Sequence, residues 1–182
     1  MTPITYEQSR NFIRDGDIIS IFRSKNNPSL FSRIITAWTK SPIYHTAIAV
    51  WLKIDSGEKR LFVVEADAST RRIIPLSTYQ YHQMHVLAKP ESVNFELFSS
   101  SLLERVGTAK YSYTKAIISG LRHYLELPKV VVATGEFCSE LAAKMWKMGG
   151  MDITDTSLDP DHLERMLVEE FGVEYRCWIL PS

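Results

Sequence analysis

Hydrophobic positions recur with a period of two in the first half of the chain and of three to four in the second half, which predicts strands followed by helices. Ile18-Ile-Ser-Ile-Phe22, set off by Gly16-Asp17, reads as a buried strand. The run from Ile43 to Trp51 is the strongest strand signal. Its alternation puts Tyr44, Thr46, Ile48 and Val50 on one face and His45, Ala47, Ala49 and Trp51 on the other. The two alanines beside His45 would admit a closely packed neighbour, such as a helix carrying a cysteine. The turn Asp55-Ser-Gly-Glu58 returns the chain antiparallel from Arg60 to Ala66. An even register places His45 with Glu65 and Asp67 on one face, whereas a slip by one residue turns both carboxylates away. The choice between Glu65 and Asp67 stays open at this point. Arg71–Leu76, His85–Ala88 and Val173–Leu180 complete the strands, with a helical turn through Tyr79.

Helical periodicity is expected over Thr5–Arg14, within a polar and peripheral segment 1–15, and over Ser29–Trp38, where Pro28 or Ser29 starts the helix. It is expected again over Phe95–Val106, with Leu97, Phe98, Leu102 and Val106 inward, and from Tyr111 to Leu125. The last helix is Pro160–Phe171, with Leu163, Met166 and Leu167 inward. Strands first and helices after predict an α+β fold, a central antiparallel sheet packed against helices in one domain spanning residues 1–182.

The stretch Thr134-Gly-Glu-Phe-Cys-Ser-Glu-Leu-Ala-Ala-Lys-Met-Trp146 carries the candidate chemistry. Leu141, Ala142, Met145 and Met148 recur at helical spacing from Cys138 onward, and Gly149-Gly150 supplies the stop. Cys138 therefore occupies the first turn of a helix, where the dipole and unpaired amides stabilise negative charge. The thiolate is the nucleophilic form of cysteine. A free cysteine also packs as a small hydrophobe, and a histidine on a strand is commonly a satisfied core residue. Spacing alone does not choose between these readings.

Composition narrows the classes. Twenty-one basic residues balance 21 acidic ones, which argues against nucleic acid as a partner. Glu7, Arg10, Arg14, Asp15 and Asp17 interrupt the start of the chain, so no signal-peptide core is expected. No apolar run approaches the roughly 20 residues that span a bilayer. Only two cysteines, Cys138 and Cys177, argue against a disulfide scaffold and point to a cytoplasmic setting.

Cysteine catalysis needs a base near the sulfur and a third group that orients the base. Cys138, His45 and a carboxylate on the following strand supply those types. Elsewhere, His82 and His85 have metal-like spacing but diverge on an extended segment and read as surface residues. Arg71-Arg72 reads as a solvated edge with some capacity to bind a substrate carboxylate. His123 and His162 read as solvent-facing and Cys177 as core. Ser139 reads as a helix cap.

Gly16-Asp-Ile-Ile19, Ser41-Pro-Ile-Tyr-His-Thr-Ala-Ile48, Val64-Glu-Ala66 and Phe137-Cys-Ser-Glu-Leu141 resemble, in order, the motifs of the circularly permuted papain-like amidases. These form the YiiX/YaeF-like branch of the NlpC superfamily, related to lecithin–retinol acyltransferases, in which histidine precedes cysteine. Asp159-Pro-Asp-His-Leu163 resembles a further segment of that pattern. The resemblance implies a papain-like fold with Cys138 as nucleophile, His45 as general base and then acid, and Glu65 as the orienting group. It implies a tyrosine at Tyr111 or Tyr113; Tyr44, Tyr111 and Tyr113 are the candidate substrate-binding residues, and neither cofactor nor metal is expected. Segment 125–136 matches nothing in the pattern and reads as a lid or specificity insertion.

The expected activity is hydrolysis of an amide or peptide bond through a thioacyl intermediate, on cell-wall peptides or related small amides. A phage or injected-effector origin would reconcile a wall substrate with the lack of a signal peptide. Two rivals are lipid acyl transfer or thioester hydrolysis at the same Cys–His site, and a binding or structural domain that keeps the fold without catalysis. Oligomeric state is left open.

Overall fold

The computed structural model describes residues 2–23, 33, 36–37, 40–54, 57–67, 70–104, 106 and 138–181. It is an α+β fold built on one six-stranded sheet whose neighbours all pair antiparallel. The strands are β1 (Ile18–Phe22), β2 (Ile43–Lys53), β3 (Lys59–Asp67), β4 (Thr70–Pro75), β5 (Met84–Leu87) and β6 (Tyr175–Ile179), ordered β4-β3-β2-β1-β5-β6. Four α-helices are described: α1 (Tyr6–Ser9), α2 (Phe95–Glu104), α3 (Cys138–Met148) and α4 (Pro160–Glu169). Among the described residues no helix is long and apolar enough to cross a membrane.

Both faces of the sheet are covered. On one, Ile18, Ile48, Val50, Val64 and Leu87 pack against Phe98 and Leu102 of α2, Leu141, Ala142, Met145 and Trp146 of α3, and Leu163 and Leu167 of α4. On the other, Ile19, Ile21, Ala47, Ala49, Leu61, Val63, Met84 and Val86 meet Tyr6, Ile13, Leu76 and Tyr79. Period-two alternation sends alternate side chains to two separate apolar layers, so every central strand is buried on both sides.

This double cover corrects several expectations. Residues 1–15 are not peripheral: Tyr6, Ser9 and Ile13 are buried, and Ile4 bridges Ile179 at the β6 edge. The first helix is one short turn, closed by a capping box between Thr5 and Gln8. On α2, Phe98 and Leu102 lie four residues apart and face the core, while Leu97, about 100° away around the helix, is 61% exposed. Met148 likewise turns outward at the end of α3, where Trp146 and Ala143 complete the buried stripe. Ala47 and Ala49 do not receive the cysteine helix. They face Leu76 and Tyr79, and α3 packs on the opposite face over Ile48 and Val50. Of the helix expected over Ser29–Trp38, only Arg33, Thr36 and Ala37 are described, all helical. The helix expected from Tyr111 to Leu125, His123, and segment 125–136 lie outside the described residues.

Two contacts hold α3 in place. The Trp146 indole donates to the carbonyl of Gly16 at 2.8 Å. Past the helix end, a Cβ on Gly149 would come within 2.7 Å of Val93 and 3.0 Å of Phe98, so that position admits no side chain without displacement. Asp17, fully buried, joins distant segments: it accepts from the Arg14 and Lys89 amides and from Arg176, at 2.6 Å to the guanidinium Nε.

A candidate cysteine–histidine–glutamate site

The site begins with the β2–β3 register. Ile48 pairs with Val64 and Ala49 with Val63, an even pairing that places His45 and Glu65 on the same face. At the start of β2 the ladder to β1 is irregular: Ile21 pairs with His45 and Phe22 with Ile43, leaving Tyr44 as an extra residue. Such a bulge breaks the alternation and re-aims neighbouring side chains. The Tyr44 ring consequently stacks beside His45, with centroids 5.9 Å apart, instead of projecting with Thr46 to the opposite face as expected. His82 lies 5.9 Å from Tyr44 and 5.7 Å from Tyr79, closing an aromatic border around His45.

His45 Nε2 meets Glu65 Oε2 at 2.8 Å, and both residues are buried. Glu65 is fully enclosed and accepts from two further donors. Tyr79 donates its hydroxyl to Oε2 at 2.7 Å; Arg72 places Nε at 2.7 Å and Nη2 at 2.6 Å from Oε1. Burial opposes ionisation of Glu65, yet His45, Tyr79 and Arg72 together hold its carboxyl down at about 2. Burial and the adjacent carboxylate push the Tyr79 hydroxyl far above its ordinary range, so it remains a donor.

Cys138 lies near enough to His45 to act on the charge of its ring. Because Nε2 faces Glu65, Nδ1 is the ring nitrogen left for the sulfur. Burial alone would push the imidazole down, but the Glu65 carboxylate and then Cys138 more than offset it and raise it well above 6.5. An imidazolium is a donor at both nitrogens, so one N–H serves the carboxylate and the other is left for the sulfur. Cys138, His45 and Glu65 thus bring together a thiol, an imidazole and a carboxylate, the residue types that cysteine catalysis uses, with all three residues buried.

Cys138 is the first described residue of α3 and is 3% exposed. Ser139 does not cap the helix: its hydroxyl donates to the Leu158 carbonyl at 2.5 Å, tying the first turn to the loop before α4. Asp159 caps α4 through the Asp161 and His162 amides, and Asp161 accepts from Ser41 beside the start of β2 at 2.8 Å. The segment Asp159-Pro-Asp-His-Leu163 therefore links α4 to the strand that carries His45.

Arg72 and Tyr79 are the residues that the sequence reading missed. Arg71-Arg72 is not a solvated edge: Arg72 faces Glu65 directly across the β3–β4 hairpin, while Arg71 turns to the helix face, is 1% exposed and donates to the Ser101 carbonyl. The signal was present in the hairpin register, since pairing Asp67 with Thr70 sets Glu65 opposite Arg72. His82 and His85 do diverge, but neither is a simple surface residue. His82 bonds the Phe22 carbonyl, and His85 bonds Glu164 on the helix face. His162 is partly buried beside Asp159. Cys177 is core, and its thiol is pushed up to about 11, by burial first and then Asp17. Tyr111 and Tyr113 lie outside the described residues. No group of three or more histidine, cysteine, aspartate or glutamate side chains among the described residues is arranged to hold a metal ion.

In comparison with known proteins, the chain matches no family model and no curated protein.

Proposed function

We propose that this protein is a cysteine hydrolase that cleaves an amide or peptide bond through a thioacyl-enzyme intermediate. The observation that carries the reading is the buried His45–Glu65 hydrogen bond with Cys138 acting on the charge of the same ring. The ordered sequence motifs, similar to those of permuted papain-like amidases, support the same assignment.

In the proposed cycle the Cys138 sulfur attacks the substrate carbonyl carbon and forms the C–S bond. The His45 imidazolium gives its Nδ1 proton to the departing amine nitrogen as the C–N bond breaks. Water then attacks the thioester carbon, with Nδ1 taking the water proton. Collapse releases the acid and returns the sulfur beside the imidazolium. The Cys138 amide at the start of α3 is the backbone donor proposed for the developing oxyanion. Tyr44, half-buried and stacked beside His45, is the described tyrosine proposed to contact the substrate.

The test is the pH dependence of iodoacetamide labelling at Cys138, followed by peptide mass mapping with Cys177 as the internal reference. The expected result is rapid labelling of Cys138 that persists below the ordinary thiol range, about 8.5, and is lost in His45→Ala. A panel of peptide amides and acyl thioesters, each offered with and without an amine acceptor, then separates hydrolysis from acyl transfer. Slow labelling of both cysteines that is indifferent to His45→Ala, with a smaller methanethiosulfonate reagent giving the same result, would remove the catalytic reading and favour a binding domain.

A further inference from the structure

Resting on the reading above, we infer that Tyr79 and Arg72 are positioning residues that fix the proton of His45 on Nε2 and thereby turn Nδ1 toward Cys138. Glu65 receives three fixed donors, Arg72 Nε and Nη2 on Oε1 and Tyr79 O–H on Oε2, and His45 Nε2 lies 2.8 Å from that same Oε2. An ionised carboxylate only accepts, whereas a protonated one must also donate. A guanidinium has no acceptor, so a proton on Oε1 would face Arg72 with nowhere to go. A proton on Oε2 would displace the bond from Tyr79 or that from His45. Arg72 and Tyr79 therefore select the ionised Glu65, and the ionised Glu65 selects an N–H at Nε2.

The consequence reaches the sulfur without either residue touching it. With the proton held at Nε2, Nδ1 presents either a lone pair or a second N–H to Cys138, the two states that base and acid steps require. With Glu65 protonated, its O–H donates to Nε2, and the neutral imidazole carries its proton on Nδ1, where it cannot accept one from a thiol. Arg72 sits on the β4 strand with its side chain 41% exposed, so this control extends from the enclosed carboxylate to the protein surface.

The experiment compares wild type, Arg72→Met, Arg72→Lys and Tyr79→Phe by two readouts. The first is the pH profile of iodoacetamide labelling at Cys138. The second is the nitrogen-15 spectrum of the His45 ring, which distinguishes the doubly protonated ring from the neutral Nε2–H and Nδ1–H tautomers. Arg72→Met is expected to move the acid limb of labelling upward by about 1 to 3 pH units, the size of a lost neighbouring charge, and to replace the doubly protonated ring signal with that of the neutral Nδ1–H tautomer. Tyr79→Phe is expected to shift the limb in the same direction by a smaller step, and Arg72→Lys to restore part of it. Folding is checked by circular dichroism and by continued protection of Cys177; if Arg72→Met unfolds, Tyr79→Phe and Arg72→Lys carry the comparison. An unchanged ring spectrum and labelling profile in the folded variants overturns the inference. The ring spectrum decides this even if wild-type Cys138 proves unreactive, an outcome that would instead remove the proposed activity.

Discussion

The sheet carries two histidine–glutamate–tyrosine clusters, one on each face. In the first, His45 meets Glu65 at 2.8 Å and Tyr79 donates to the same carboxylate at 2.7 Å. In the second, His85 meets Glu164 at 2.8 Å and Tyr175 donates to it at 2.9 Å. What surrounds those shared contacts differs. Arg72 occupies the second oxygen of Glu65, whereas Oε2 of Glu164 has no partner among the described residues. Cys138 acts on the charge of the His45 ring. The His85 ring stacks on Trp178 at 5.0 Å and meets Phe22 edge-on at 4.4 Å. A short histidine–carboxylate bond is therefore no signature of catalysis by itself. The groups on the other nitrogen and the other oxygen separate the proposed catalytic arrangement from a pin that fastens α4 to β5 and β6.

His45→Ala should give the largest contrast, lowering the Cys138 labelling rate by about a hundredfold or more. His85→Phe, which keeps an aromatic ring in the same stack, should leave that rate within about twofold while costing roughly 1–3 kcal/mol of stability in urea unfolding. Equal loss of labelling in both variants would break the distinction between the two clusters.

Glu65→Gln sharpens the comparison through pH. The folded Glu65 sits at about 2 against an ordinary 4.5, so its stabilising contribution is present above 4.5 and is lost as pH falls toward 2. His45 is raised well above 6.5, so its contribution is complete below 6.5 and is lost as pH rises through the folded value. Wild type should therefore lose stability on both sides of a plateau between these limits. Glu65→Gln should flatten both slopes at once, because it removes one titrating group and the charge that raises the other. Urea midpoints at about pH 3, about pH 6 and about pH 9 test this. The smallest effect is expected for Tyr175→Phe, about 0.5–1.5 kcal/mol in the same assay, with the labelling profile of Cys138 unchanged.

The strands and the cysteine helix were legible in the sequence because alternation and helical spacing report burial directly. His45 and Cys138 were legible as residue types in suitable elements, and the even β2–β3 register places Glu65 with them. What escaped local pattern was tertiary cover. The polar appearance of residues 1–15 concealed Tyr6 and Ile13, which become core only because the second sheet face needs a lid. Arg71 and Arg72 look alike in sequence, yet period two sends one to Ser101 and the other to Glu65. The bulge at Tyr44 depends on how β1 meets β2, which nothing within Ile43–Trp51 encodes alone.

His45, Glu65, Arg72 and Tyr79 all fall within one run of 35 residues, from position 45 to position 79, folded by successive hairpins of neighbouring strands. Cys138 arrives 59 positions after Tyr79, on a helix that docks from elsewhere in the chain. Contacts between neighbours in sequence close at lower entropic cost than distant ones. As the chain emerges from the ribosome, the segment that holds the histidine, carboxylate, guanidinium and phenol is thus made before Cys138, and the sulfur meets His45 only once its helix docks on the sheet.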